Sequence, residues 1–240
     1  MWALLLLFAV GTGCHQAVME LDPQFSAKAD QYAVSGRQGL MLKEKVSFGP
    51  YSSGEVDREW DSIGQWQLFG YHSATQDGGF RFQLEGGGGT PWRVECHNRA
   101  TLREMSLDLL LGENWSWVVE SNNRFSCGFT RSGESSERGW LMALAESGNG
   151  TPLGGMIGRS DGLRSWKIEG IDRLQGAAIA TAAANGFTIT GDHGALAAVE
   201  IINEGRVWIA KTVQGEDRDL LAAAALAMLL YREPERMVME

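Results

Sequence analysis

The sequence predicts a mainly β protein in which a long series of antiparallel strands surrounds one apolar C-terminal α-helix. Three observations carry that expectation. Short alternating apolar runs recur from Leu40 to Lys211, turn residues fall between most of them, and residues 220–231 are twelve consecutive apolar positions with no polar face.

At the start of the chain, Trp2 to Val10 is an unbroken apolar run followed by Gly11, Thr12 and Gly13. This is the layout of a secretory signal over residues 1–13, and it is far short of the roughly 20 apolar residues needed to span a bilayer. Cys14 follows directly, and the segment resembles the lipobox of bacterial lipoproteins, in which the cysteine becomes the lipid-bearing first residue of the mature chain. The resemblance implies an exported protein of the bacterial cell envelope, held to a membrane on its periplasmic or surface face by lipid on Cys14. Gly11 stands where that signal carries Leu, Val or Ile, and an ordinary cleaved signal beside an incidental cysteine is the competing reading. Residues 14–39 are polar with little periodicity and are expected to be a tether. The folded domain is expected over 40–233, with 234–240 as a tail.

The clearest strand runs are Leu40 to Phe48, Trp66 to His72, Phe80 to Leu84, Trp92 to His97, Trp115 to Glu120, Phe125 to Thr130, Trp140 to Ala145, Ser165 to Ile171, Phe187 to Thr190, Ala195 to Ile202 and Val207 to Lys211. Turn chemistry separates them at Gln76-Asp77-Gly78-Gly79, Glu120-Ser121-Asn122-Asn123, Asp161-Gly162, Asn185-Gly186, Asp192-His193-Gly194 and Asn203-Glu204-Gly205. The alanine-rich segment Gly176 to Ala184 is either a short helix or a closely packed strand.

Of three cysteines, lipid on Cys14 leaves Cys96 and Cys127 as an even pair in an oxidising space. Alternation puts Cys96 on the face of Trp92 and Val94, and Cys127 on the face of Phe125 and Phe129, so both point inward. They form either a disulfide or two separate buried thiols.

The helix is expected over about 217–232. Asp217 and Asp219 stand at its positive dipole end, Arg232 near its negative end, and Pro234 prevents continuation. At about 18 Å its apolar run is too short for a bilayer and must be wrapped by protein. The run of strands, with Val207-Trp208-Ile209-Ala210-Lys211 leading through Asp217-Arg218-Asp219 into this helix, resembles the tubby C-terminal superfamily, which includes tubby-like, phospholipid scramblase and LURP-one-related proteins. The resemblance covers about Leu40 to Arg232. It implies a closed antiparallel barrel of about 12 strands with the helix through its middle. The phosphoinositide binding of tubby proteins needs a basic pocket, whereas here 21 Lys and Arg are dispersed among 30 acidic residues, so that ligand is not carried over.

Motifs for chemistry are sparse. Gly158-Arg159-Ser160-Asp161-Gly162 fits the GxSxG pattern of a serine hydrolase, with Asp192 and His193 following, but the strand expected at Ser165 leaves no helix after Ser160. The four histidines, His15, His72, His97 and His193, lack metal-ligand spacing, and His97 is expected on a solvated strand face. Gly86 to Gly89 reads as a hairpin tip. Trp92, Trp140, Trp166 and Trp208 occupy core parity, Trp115 and Trp117 share a face, and Glu44 is the one charged residue on an apolar parity. A net charge of −9 argues against nucleic acid as a partner. The expected function is a non-catalytic scaffold or binding module for an unknown envelope protein, without metal or cofactor. A carrier of a small apolar ligand or lipid, and a hydrolase using Ser160, are the alternatives.

Overall fold

The computed structural model describes residues 16–37, 44–59, 62–68, 71–108, 114–134, 139–147, 151–181 and 183–231. The expected signal over 1–13, Cys14 and the tail over 234–240 lie outside the described residues.

The chain opens with α1 (Pro23–Ala27), a single turn capped by the Asp22 carboxylate, which accepts the Gln24 N–H at 2.8 Å. There follow β1 (Ala29–Ser35), the two-residue strands β2 (Ser47–Phe48), β3 (Tyr51–Ser52) and β4 (Asp57–Arg58), then β5 (Ser62–Leu68), β6 (Tyr71–Gly86), β7 (Trp92–Asp108) and β8 (Asn114–Arg131). The chain continues through β9 (Trp140–Ser147), β10 (Thr151–Arg159), β11 (Ser165–Ile171), β12 (Gly186–Gly191), β13 (Gly194–Glu200), β14 (Arg206–Ala210) and α2 (Gly215–Leu230).

Neighbouring strands run β3-β2-β1-β14-β13-β12-β11-β10-β9-β8-β7-β6, all antiparallel, and β3 pairs back onto β6 at Tyr51–Gly86 and Ser52–Glu85. This closes a twelve-strand barrel and leaves its ring no open edge. β4 and β5 continue along the same edge of β6. The sheet of β5 to β8 runs on past the barrel, because β8 pairs with β7 as far as Asp108–Asn114 but with β9 only to Arg124–Ala145.

The strands alternate as the sequence predicts: Phe80, Phe82, Leu84, Trp92, Val94, Phe125, Phe129, Trp140, Trp166 and Trp208 are all buried. Inside them lies α2. Leu220 to Leu230 are each no more than 1% exposed, and the helix packs on β13 and β14 at one side and on β7 and β8 at another. It begins two residues before the expected Asp217 and stops at Leu230, because Tyr231 turns extended.

Four expectations are corrected. Residues 14–39 are not a tether where they are described, since Met19 bridges to Leu174 and β1 joins β2 to β14, so the barrel domain does not begin at 40. The polar Asp30 and Gln31 hid a strand whose pairing is supplied by residues 206–210. The turns expected at 76–79 and 120–123 are absent: β6 and β8 continue through them as strand, each paired along one side with β7, with one register shift at Arg103–Glu104 next to Glu120. Of the strand expected over Leu40–Phe48, Ser47–Phe48 is strand and residues 44–46 are not, while 40–43 lie outside the described residues. The segment Gly176 to Ala184, where described, is neither helix nor strand but a loop of bends and turns.

Candidate functional site

At the N-terminal end of α2 the apolar helix gives way to four successive charged residues. Glu216 meets Arg131 at 3.3 Å, and Asp217 receives a two-pronged bond from Arg164 at 3.0 and 2.7 Å. Arg218 donates to Asp30 at 2.6 Å, to the Tyr32 hydroxyl at 2.9 Å and to the carbonyls of Ala210 and Val213. Asp219 accepts the Tyr51 hydroxyl at 2.9 Å. Successive helical residues point about 100° apart, so the four side chains fan out and fasten the helix to four arcs of the ring. Burial, and then the bond to Asp219, push the Tyr51 hydroxyl above the ordinary tyrosine range, so it stays protonated and donates.

Beside this clamp is a cleft of about 380 Å³ between Arg164, Trp166, Asp192, His193, Leu196 and Val213. Its wall is built on Trp166, stacked at 5.1 Å on Trp140, and the Arg164 guanidinium lies 5.4 and 5.6 Å from the two ring centres. A second cleft of about 530 Å³ lies outside β6 to β8, lined by Asp77, His97, Asn98, Arg99 and Arg124 among others. There Arg99 pairs with Asp77 at 2.5 Å, and the buried Asn98 Oδ1 has no hydrogen-bond partner.

The strand–turn–helix context of a serine-hydrolase elbow is not what surrounds Ser160. Ser160 sits in the turn between β10 and β11, giving its N–H to the Gly139 carbonyl at 2.9 Å, and a strand follows instead of a helix. Asp192 and His193 line the smaller cleft, whereas Ser160 is not among its lining residues. Asp161 instead braces its own turn, where bonds from Arg159 and the Leu163 N–H hold its carboxyl below the usual carboxylate range.

Cys96 and Cys127 face each other directly across β7 and β8 and form a disulfide, with Cα atoms 4.1 Å apart. His97 is exposed, as its parity predicts. Glu44, out of pattern in the sequence, is buried against Arg58 at 2.8 Å, and Arg58 also reaches the Leu230 carbonyl at 3.4 Å. Sequence reasoning missed Arg58, and it missed the buried Glu200, which accepts the Met19 N–H at 2.8 Å and pairs with Arg206 at 3.3 Å. The opposition of Glu200 and Arg206 across a short turn was the available signal for the second pair.

Among the described residues no three His, Cys, Asp or Glu gather to hold a metal, and no helix is long and apolar enough to cross a membrane. Compared with protein-family models, with curated proteins and with solved structures, the chain matches none.

Proposed function

We propose that the chain is an exported, lipid-anchored envelope protein whose tubby-like barrel acts as a non-catalytic scaffold or binding module for another envelope component. The observation that carries this reading is the filled barrel. With Leu220 to Leu230 packed inside the ring, the lumen that a carrier of an apolar ligand would use is taken by the chain itself. Recognition then falls to the outer surface and to the barrel ends. The signal-like residues 1–13, Cys14 and a disulfide of the kind that persists in oxidising compartments support export.

The test is fractionation of cells expressing the wild-type chain and Cys14→Ser. The wild type is expected in the membrane fraction and released only by detergent, and the variant in the soluble exported fraction. Equal distribution of the two would refute the anchor.

A further inference from the structure

The loop between β11 and β12 and the N-terminal segment meet at the end of the barrel where α2 terminates. Gln175 gives its N–H to the Val18 carbonyl at 2.8 Å, Glu20 gives its N–H to the Arg173 carbonyl at 2.9 Å, and Asn203 donates to the Ala17 carbonyl at 2.8 Å. Cys14 precedes Gln16 by two residues, a chain reach of at most about 7 Å. A lipid on Cys14 would therefore leave the molecule beside this loop.

The loop has the surface such a position requires. From Leu174 to Gly191 there is no charged residue. Ile179 is 83% exposed, and Ala177, Ala178 and Ala180 are exposed around it. Its polar groups are turned to internal use: Thr181 donates its N–H and its hydroxyl to the Asp172 carbonyl, both at 2.7 Å, and Asn185 donates to the Thr181 oxygen at 2.7 Å. Beyond the exposed Arg173 and Gln175 at the start of the loop, what faces outward is mostly methyl groups.

We infer that this end of the barrel faces the bilayer, with Ile179 and its neighbouring alanines seated in the lipid interface beside the acylated N-terminus. The inference rests on the lipid-anchor reading. It supplies the second contact by which an acyl anchor and an apolar surface together hold a domain in one orientation. The prolonged sheet of β5 to β8 leaves from the same end, and β7 lies five places round the ring from β12.

The test uses the full chain, produced in a host that lipidates it and reconstituted into phosphatidylcholine vesicles carrying nitroxide-labelled lipid. With Cys14 acylated and Cys96 and Cys127 bridged, Ile179→Cys and, separately, His193→Cys each offer one thiol for a polarity-sensitive fluorophore. His193 is exposed and lies at the opposite end, beside the start of α2. Emission at 179 is expected to shift to the blue and to be quenched severalfold more strongly than at 193. Equal quenching at the two sites, in protein that floats with the vesicles, overturns the orientation alone. Protein that does not float overturns the anchor and the orientation with it.

Discussion

The Tyr51 hydroxyl donates to the Asp219 carboxylate at 2.9 Å across 168 positions of sequence, tying the strand that closes the barrel to the second turn of the helix inside it. Both residues are buried, so the bond is made where water cannot replace it. Tyr51→Phe is expected to cost about 1–3 kcal/mol, the range for losing a buried bond to a charged group. Urea unfolding monitored by the tryptophans measures it, and an unchanged midpoint would remove this bond from the account of closure.

The same pair predicts an alkaline limit. Burial and the Asp219 bond raise the Tyr51 pKa above its ordinary value of 10.0. Above pH 10 the unfolded tyrosine releases its proton while the folded one keeps it, so the folded state holds more protons and loses stability as pH rises. Below pH 10 the contribution is complete. Wild-type stability should therefore fall more steeply between pH 10 and 11 than that of Tyr51→Phe. Parallel curves for the two proteins would show that Tyr51 titrates normally.

Gly87 and Gly88 separate two effects of adding a methyl group. Both have positive φ, +68° and +82°, but a Cβ on Gly87 would run into the Asp219 carboxylate and the Tyr51 ring, while one on Gly88 meets nothing within 4 Å. Each alanine pays the left-handed backbone strain of about 1 kcal/mol or more. Gly87→Ala should lose clearly more stability than Gly88→Ala, and thermal unfolding of the two variants decides it.

How far the sequence reveals this arrangement depends on whether a feature is local. The helix is legible because twelve apolar residues, an acidic first turn and the following Arg-Glu-Pro are contiguous. The inward parity of Cys96 and Cys127 is legible because alternation is a two-residue rule. The continuous course of β8 through Ser121-Asn122-Asn123 is not, since turn propensity there is overridden by Leu102, Thr101 and Ala100 across the ladder. The clamp at Glu216 to Asp219 was visible as dipole chemistry alone. Its partners Arg131, Arg164, Asp30 and Tyr51 come from four separate parts of the chain, and only closure of the ring brings them to the helix.

The disulfide should matter more to the unfolded chain than to the folded one. Cys96 and Cys127 already oppose each other in register, so the bond adds little to native pairing, but it closes a 31-residue separation in the denatured state. The chain-entropy relation gives about 3–4 kcal/mol. The paired Cys96→Ala and Cys127→Ala variant should keep the native circular dichroism spectrum and lose roughly that stability. Both sulfurs are buried, so reductant should reach the bridge only as fast as the barrel opens, and mass spectrometry of trapped thiols follows that rate.

At the far end of α2, Arg58 links Glu44 to the helix C-terminus, where the Leu230 carbonyl accepts from it and the helix dipole favours a cation. Its guanidinium also stands 5.4 Å over the Phe80 ring. Glu44 is 3% exposed, so removing the guanidinium takes the pairing cation from a buried carboxylate. Arg58→Met should therefore cost about 3–5 kcal/mol, as buried pairs do when one partner is lost. Glu44→Gln, which retains shape and hydrogen-bonding capacity, should cost less. Because the two charges share one interaction, the double variant should be more stable than the sum of the single losses allows, with a coupling above about 0.5 kcal/mol in a double-mutant cycle. Additive losses would mean that Arg58 acts through the helix carbonyl and the Phe80 ring, and that Glu44 is stabilised without it.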